Sequence, residues 1–217
     1  MTSFTEQLLA EHQSAWRAMQ EHRFVIDIEQ DKLPARVFNQ YLVFEGDFVA
    51  TAIGIFALAV SKAPGIRQQR WLVGVLNALV DEQMGYFEQV LARRGIDVNH
   101  YQRDLPAVGR FRDGMLAAAR EGGYADIITL MFGAEWMYYT WCRRASESAQ
   151  ADADLRHWVD MHAAEAFFAQ ARWLKEELDA CAAALPETER RRLSALYGQV
   201  LEWEIDFHQA AYAQQGV

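Results

Sequence analysis

The sequence predicts an all-α protein, and three observations carry that expectation. Apolar residues recur at spacings of three and four almost from end to end. Helix formers such as Ala, Leu, Gln, Glu and Arg abound while β-branched residues are scarce. All 4 prolines (Pro34, Pro64, Pro106 and Pro186) fall where a helix would begin or stop. At 52% hydrophobic residues the 217-residue chain can bury a large core and is not a disordered one.

The elements follow in order. Phe4, Leu8, His12, Ala15, Trp16 and Met19 share one face of a first helix. Pro34 suits the first position of a second, which the apolar run from Val37 to Lys62 continues until Pro64-Gly65 stops it. A third spans about Gln68 to Arg94 and closes at Gly95, a natural C-terminal stop. The polar stretch Asp97 to Arg103 reads as a loop. Pro106 opens a fourth helix ending near Gly122-Gly123, and a fifth runs from about Tyr124 to Ser148. A sixth covers Ala151 to Ala183, and Pro186 opens the last, which ends near Gln214. No strand, repeat or long linker interrupts the pattern, so residues 1–217 are expected to form a single helical-bundle domain.

Composition narrows the function. A net charge of −9 argues against nucleic-acid binding, which needs a concentrated basic surface. The run Arg190-Arg191-Arg192 is preceded by Glu187 and Glu189 and reads as a solvated helix face. Cys142 and Cys181 have neither disulfide nor metal-type spacing, so a reducing, cytoplasmic setting is expected. The N-terminus lacks a basic region followed by an apolar stretch, and no signal peptide is predicted. The most apolar segment, Phe48 to Val60, is too short to span a bilayer, so no membrane partner is expected. No phosphate loop or zinc-type cluster points to a cofactor.

The most informative stretch runs from Leu130 to Trp141. It places Glu135 inside an aromatic and apolar helical run, beside Trp136 and one turn from Tyr138 and Tyr139. A charge there costs on the order of several kcal/mol unless it is paired, so a lone buried glutamate needs a reason to be there. Glu45, within Tyr41-Leu42-Val43-Phe44-Glu45-Gly46-Asp47-Phe48, and Glu204, within Leu201 to His208, have similar surroundings. Three acids in three apolar helices suggest a pocket. Desolvation raises a carboxyl pKa toward neutrality, which suits proton transfer.

With the helices placed, six short patterns stand in the order of one known family's motifs. Trp16 and His22-Arg23-Phe24-Val25 echo that family's aromatic residue and His-Pro-Phe-Val. Its Leu-Pro-x-x-x-Phe-x-x-Tyr-Leu is matched from Leu33-Pro34 through Phe38 to Tyr41-Leu42. Phe44-Glu45-Gly46-Asp47-Phe48 aligns Glu45 with the aspartate and Phe48 with the tyrosine of Gln-Asp-x-x-Tyr. Arg94-Gly95-Ile96 resembles Leu-Gly-Ile, and Phe132-Gly133-Ala134-Glu135-Trp136-Met137-Tyr138 resembles Leu-Pro-Cys-x-Trp-x-Tyr. Glu204 through Ala211 matches Glu-x-x-Phe-Trp-x-x-Ala. On these residues the chain resembles the TenA/Thi-4 (thiaminase-II-like) family.

The resemblance implies a haem-oxygenase-like helical fold, a homo-oligomer (dimer or tetramer), and hydrolysis of an exocyclic C–N bond in a thiamine-derived aminopyrimidine. Ala134 stands where the family's nucleophilic cysteine belongs, and Cys142 lies eight residues on, ~12 Å along the helix. The chain therefore looks like the cysteine-lacking TenA_E branch, which leans on glutamate. In that reading Glu204 transfers protons with Glu45 and Glu135 in support. Phe44, Phe48, Trp136, Tyr138 and His162 hold a small heteroaromatic substrate, His162 standing where the family often has a tyrosine. Two other readings stay open. One is a di-metal oxidase using Glu82, Glu135, His162, Glu165 and His208, although His162-Ala163-Ala164-Glu165 supplies only one acid–histidine pair. The other is a ligand-binding or regulatory protein without catalysis.

Overall fold

The computed structural model describes residues 2–213, and every regular element among them is helical. The helices are α1 (Phe4–Glu11), α2 (Gln13–Gln20), α3 (Arg23–Glu29), α4 (Ala35–Lys62), α5 (Ile66–Asn77), α6 (Met84–Arg93), α7 (Pro106–Glu121), α8 (Tyr124–Ala145), α9 (Ala153–Ala163), α10 (Glu165–Ala183) and α11 (Glu187–Ala210). A π-helical turn at Ala78–Gln83 joins α5 to α6, and a 3-10 turn occupies Val98–His100. The chain groups into two compact units: the chain up to Leu33 with Ile128–Ile205, and Pro34–Ile127 with the chain from Asp206.

In the first unit Phe24, Trp141, Trp158, Tyr197 and Val200 are fully buried core residues. Its N-terminal helix begins with a capping box, Ser3 and Glu6 exchanging side-chain and backbone hydrogen bonds. Thr5 ties this turn to α10: its backbone N–H and its hydroxyl both donate to the Asp179 carboxylate, at 2.8 and 2.9 Å.

The single first helix expected from periodicity is broken at His12, and tertiary contacts supply the reason. Ser194 Oγ on α11 donates to Glu11 Oε2 (2.8 Å) and accepts from His12 Nε2 (2.9 Å). The imidazole also meets the Tyr197 ring edge-on at 5.6 Å. Room for it comes from Gly198, where a Cβ would lie 2.5 Å from His12 Cε1 and 2.6 Å from Nδ1. Gly198→Ala must therefore push the ring off Ser194. A loss of about 2–3 kcal/mol is expected, read as a lower urea midpoint at unchanged slope.

The expected sixth helix is likewise two, parted at Ala164, whose backbone is extended (φ −68°, ψ 154°). Just before the break His162 Nδ1 donates to the Trp158 carbonyl at 2.8 Å, a side chain competing for an oxygen of the helix ladder.

In the second unit α5, α6 and α7 pack along α4. The apolar stretch of α4 proves longer than Phe48 to Val60: by length and composition this helix could cross a membrane, with a mean hydropathy of 1.8 over its best window. Its buried side chains include Gln40 and Glu45, and 44% of that window is buried within the protein. Pro34 caps α4 instead of starting it, whereas Pro106 does occupy the first turn of α7. Lys62 at the end of α4 donates from Nζ to the carbonyls of Ala119 and Arg120, both at 2.9 Å, and of Gly122, so one ammonium satisfies the open end of α7. The third expected helix is present but widened by the π turn at Ala78–Gln83. Gly95 ends α6 at φ 64°, a conformation that favours glycine. The last expected helix stops at Ala210, and Gln214 lies outside the described residues.

Candidate active site

The three acids named from sequence are all buried. Glu204 is 0% exposed, and Glu45 and Glu135 are each 7% exposed. Glu135 and Glu204 belong to the first unit and Glu45 to the second.

Glu135 sits on α8 among core residues because the helix is apolar nearly all round: Phe132, Ala134, Met137 and Tyr138 are buried beside it. Close packing begins at Gly133, where a Cβ would come 3.0 Å from Val200 Cγ1 on α11. The Phe132 and Tyr197 rings stack next to that contact, with centroids 5.7 Å apart. One oxygen of Glu135, Oε1, accepts from Gln170 Nε2 on α10 at 2.8 Å. The other, Oε2, is buried with no hydrogen-bond partner. Burial outweighs the amide's opposing pull and pushes the carboxyl up to about 8, so Glu135 is a neutral acid at pH 7. The Tyr197 hydroxyl is also buried without a partner, and desolvation holds it far above the usual phenol range.

The aromatic candidates of the first unit separate into two groups. Trp136 packs with Phe132 (6.1 Å), Tyr139 (6.1 Å) and Phe168 (6.3 Å), and Tyr139 stacks on Phe168 at 4.7 Å. Tyr138 instead joins Trp141 (5.6 Å), Trp158 (6.3 Å) and His162 (5.7 Å). Two residues apart on a helix is about 200° of rotation, so Trp136 and Tyr138 do not face one ligand together. His162 is buried with its ring 4.4 Å from Trp158, and its Nδ1 is committed to a backbone carbonyl.

In the second unit Phe44 is fully buried at 5.8 Å from Phe207. Phe48 stacks on Phe111 at 4.4 Å, so one of its faces is already covered. Asp47 is paired bidentately with Arg103, at 2.7 and 2.6 Å, which pins the end of the expected loop to α4. These two line a shallow depression of about 430 Å³ with Ala50, Asp104 and Arg112, and none of the catalytic or ligand-holding candidates expected from sequence lines it.

Of the acids and histidines considered for a metal pair, Glu82 and Glu165 are exposed. Among the described residues no group of three or more His, Cys, Asp or Glu side chains gathers as a metal site. Cys142 is fully buried and Ala134 stands at the cysteine position, so the α8 segment offers no accessible thiol. Sequence reasoning missed Gln170. It follows Phe167 and Phe168 on an amphipathic helix, and only its place among aromatics hinted at more than a surface role.

A model of the TENA/THI-4/PQQC family matches residues 9–214. The chain belongs to that family. It is 22% identical over 204 residues to the aminopyrimidine aminohydrolase of Helicobacter pylori, an alignment covering 92% of this chain and 94% of that protein. The fold is shared with a TenA homologue from Pyrococcus furiosus (TM-score 0.89, 21% identity, 96% of this chain and 100% of that one). A TenA family transcription regulator from a Silicibacter species is similar too, at TM-score 0.87 and 24% identity over 97% of each chain. The all-α, TenA-type fold expected from the motifs is thus the fold of the chain.

Proposed function

We propose that the protein hydrolyses the exocyclic C–N bond of an aminopyrimidine of the thiamine type, with glutamate doing the proton transfers. The observation that carries this reading is Glu135: a neutral carboxylic acid held at about pKa 8 in an aromatic surround, one oxygen unengaged, one position from the family's vacant cysteine. The activity for which the Helicobacter pylori relative is named supports the substrate class.

The chemistry needs two proton movements. Water forms a bond to carbon as the C–N bond breaks, the leaving amine takes a proton, and the attacking water gives one up. Glu135, protonated at neutral pH, can supply a proton to the amine. Glu204, sealed from solvent at the position of the family's glutamate, exchanges a proton with the water. Trp136, like Tyr139, is a partly exposed aromatic on the Glu135 segment and offers a face to a planar ring. The ligand-holding roles of Glu45, Phe44, Phe48 and His162 rest on the motif resemblance, while Tyr138, about 200° around α8 from Trp136, does not share its ligand face. A cytoplasmic homo-oligomer belongs to the same proposal.

The test is a panel of amino- and formylaminopyrimidines, first by thermal shift and then by release of amine or formate. A substrate should raise the melting temperature by mass action and be consumed. A ligand that stabilises the protein and is recovered unchanged would instead favour the binding-only reading, and no response at millimolar concentration would overturn the substrate class.

A further inference from the structure

The Glu135–Gln170 pair carries an inference that rests on the hydrolase reading and refines it. The two side chains come from different helices, α8 and α10, and meet through one hydrogen bond of 2.8 Å. A carboxyl oxygen that accepts from an amide N–H is the carbonyl oxygen of the neutral acid, which leaves the proton to the other oxygen. That other oxygen, Oε2, is the one buried without a partner. We propose that Gln170 is a positioning residue: by donating to Oε1 it fixes the plane of the Glu135 carboxyl group and makes Oε2 the oxygen that delivers the proton.

Burial and the Gln170 amide are the influences acting on the ionisation of Glu135. Along α10, Glu165 in the first turn and Arg172 are exposed, Arg172 lying over the Phe168 ring at 5.4 Å and 3.8 Å from Glu176. Lys175 is half-buried and 3.7 Å from Asp179, and Glu177, two turns from Gln170, is buried. On α8 the titratable neighbours Tyr138 and Tyr139 are engaged in the two aromatic groups described above, and Tyr197 on α11 stacks with Phe132. Gln170 itself is half-buried, so it can be replaced without opening the core.

The experiment follows the Glu135 carboxyl directly, by carbon-13 NMR of labelled glutamate with Glu135→Gln as the assignment control. In the wild type a resonance should titrate near pH 8. Gln170→Met keeps the length and removes the donor that favours the ionised form, so the midpoint should rise by about half a unit or more. Gln170→Glu puts a second carboxyl at the same reach, and the pair should then titrate in two separated steps. In turnover of an aminopyrimidine, Gln170→Met should lower kcat by roughly tenfold while KM stays within about twofold, and the alkaline limb of its pH profile should move up with the midpoint. A Glu135 titration unchanged in both variants overturns the proposal, whatever happens to thermal stability. If the wild type turns over no aminopyrimidine the hydrolase reading falls instead, and the titrations still decide what Gln170 does.

Discussion

At pH 8 the Glu135→Gln variant is expected to be more stable than the wild type by about 3 kcal/mol, with the gap closing as the pH is lowered toward 5. The direction follows from where the carboxyl binds its proton. In the folded protein the group holds its proton up to about pH 8, and in the unfolded chain only to its ordinary value of 4.5. Below 4.5 both states are protonated and burial of the neutral acid costs nothing through ionisation. As the pH climbs from there to 8 the unfolded chain gains the ionised form and the folded one does not, so stability falls through that window and the loss is complete above 8. Each unit of displacement is worth about 1.4 kcal/mol, which sets an upper limit near 5 kcal/mol. Relaxation and water entry around a buried charge bring the expected figure down to about 3.

Glutamine has the shape of the neutral acid. It can accept from Gln170 through its own carbonyl, and it has no ionisation to lose. The measurement is thermal or urea unfolding of both proteins from pH 5 to 9. Only the difference between them is read, because other groups contribute their own slopes. For a chain of this size 3 kcal/mol corresponds to roughly 6–12 °C in Tm. Parallel curves for the two proteins across that range would show that Glu135 ionises in the folded state as it does in the unfolded one. The neutral-acid role assigned to it would then be lost. A stability cost of this size, kept at one buried position of α8, is what a functional carboxylate in a core looks like.

Much of this was legible in the sequence. The surroundings of Glu135 gave away its burial, because residues 127–142 carry no other charge and such a run lies inside. Glu204 shares a helix face with Leu201 and Phe207, three residues away on either side, while Glu202 and Asp206 face out. Gly95 and Pro106 mark helix ends through their own backbone restrictions, and they act where expected. The breaks at His12 and Ala164 were not legible. His12 is turned by Ser194 and Tyr197, residues more than 180 positions away, and no local pattern records them. Ala164 is itself a strong helix former, and the carbonyl drawn off by His162 is visible only in three dimensions. The π turn at Ala78–Gln83 reads locally as ordinary helix. At the site, the spacing of two between Trp136 and Tyr138 already placed them on opposite faces of α8, so their separation was readable. Gln170 was not, since an amide on an amphipathic helix carries no sign of which partner it meets across the bundle.

Replacing Glu204 by glutamine should lower kcat for aminopyrimidine hydrolysis by about 10²- to 10⁴-fold, the span typical of a removed general acid or base. Glu204 is wholly excluded from solvent on α11, with Leu201 and Phe207 buried on either side. A glutamine fills the same volume and keeps an accepting oxygen, so packing and ligand contacts change little, but it neither takes nor gives the proton that the attacking water must lose. The loss should therefore fall on kcat, with KM within a few-fold and helical content by circular dichroism unchanged. Activity within about threefold of the wild type would remove Glu204 from the mechanism. Comparison with Glu135→Gln then separates two arrangements. If the acids serve different steps, each variant loses rate by its own factor and the double variant by roughly the product of the two. If one proton passage requires both at once, the double variant is no slower than the slower single one, because removing either acid has already abolished the shared step.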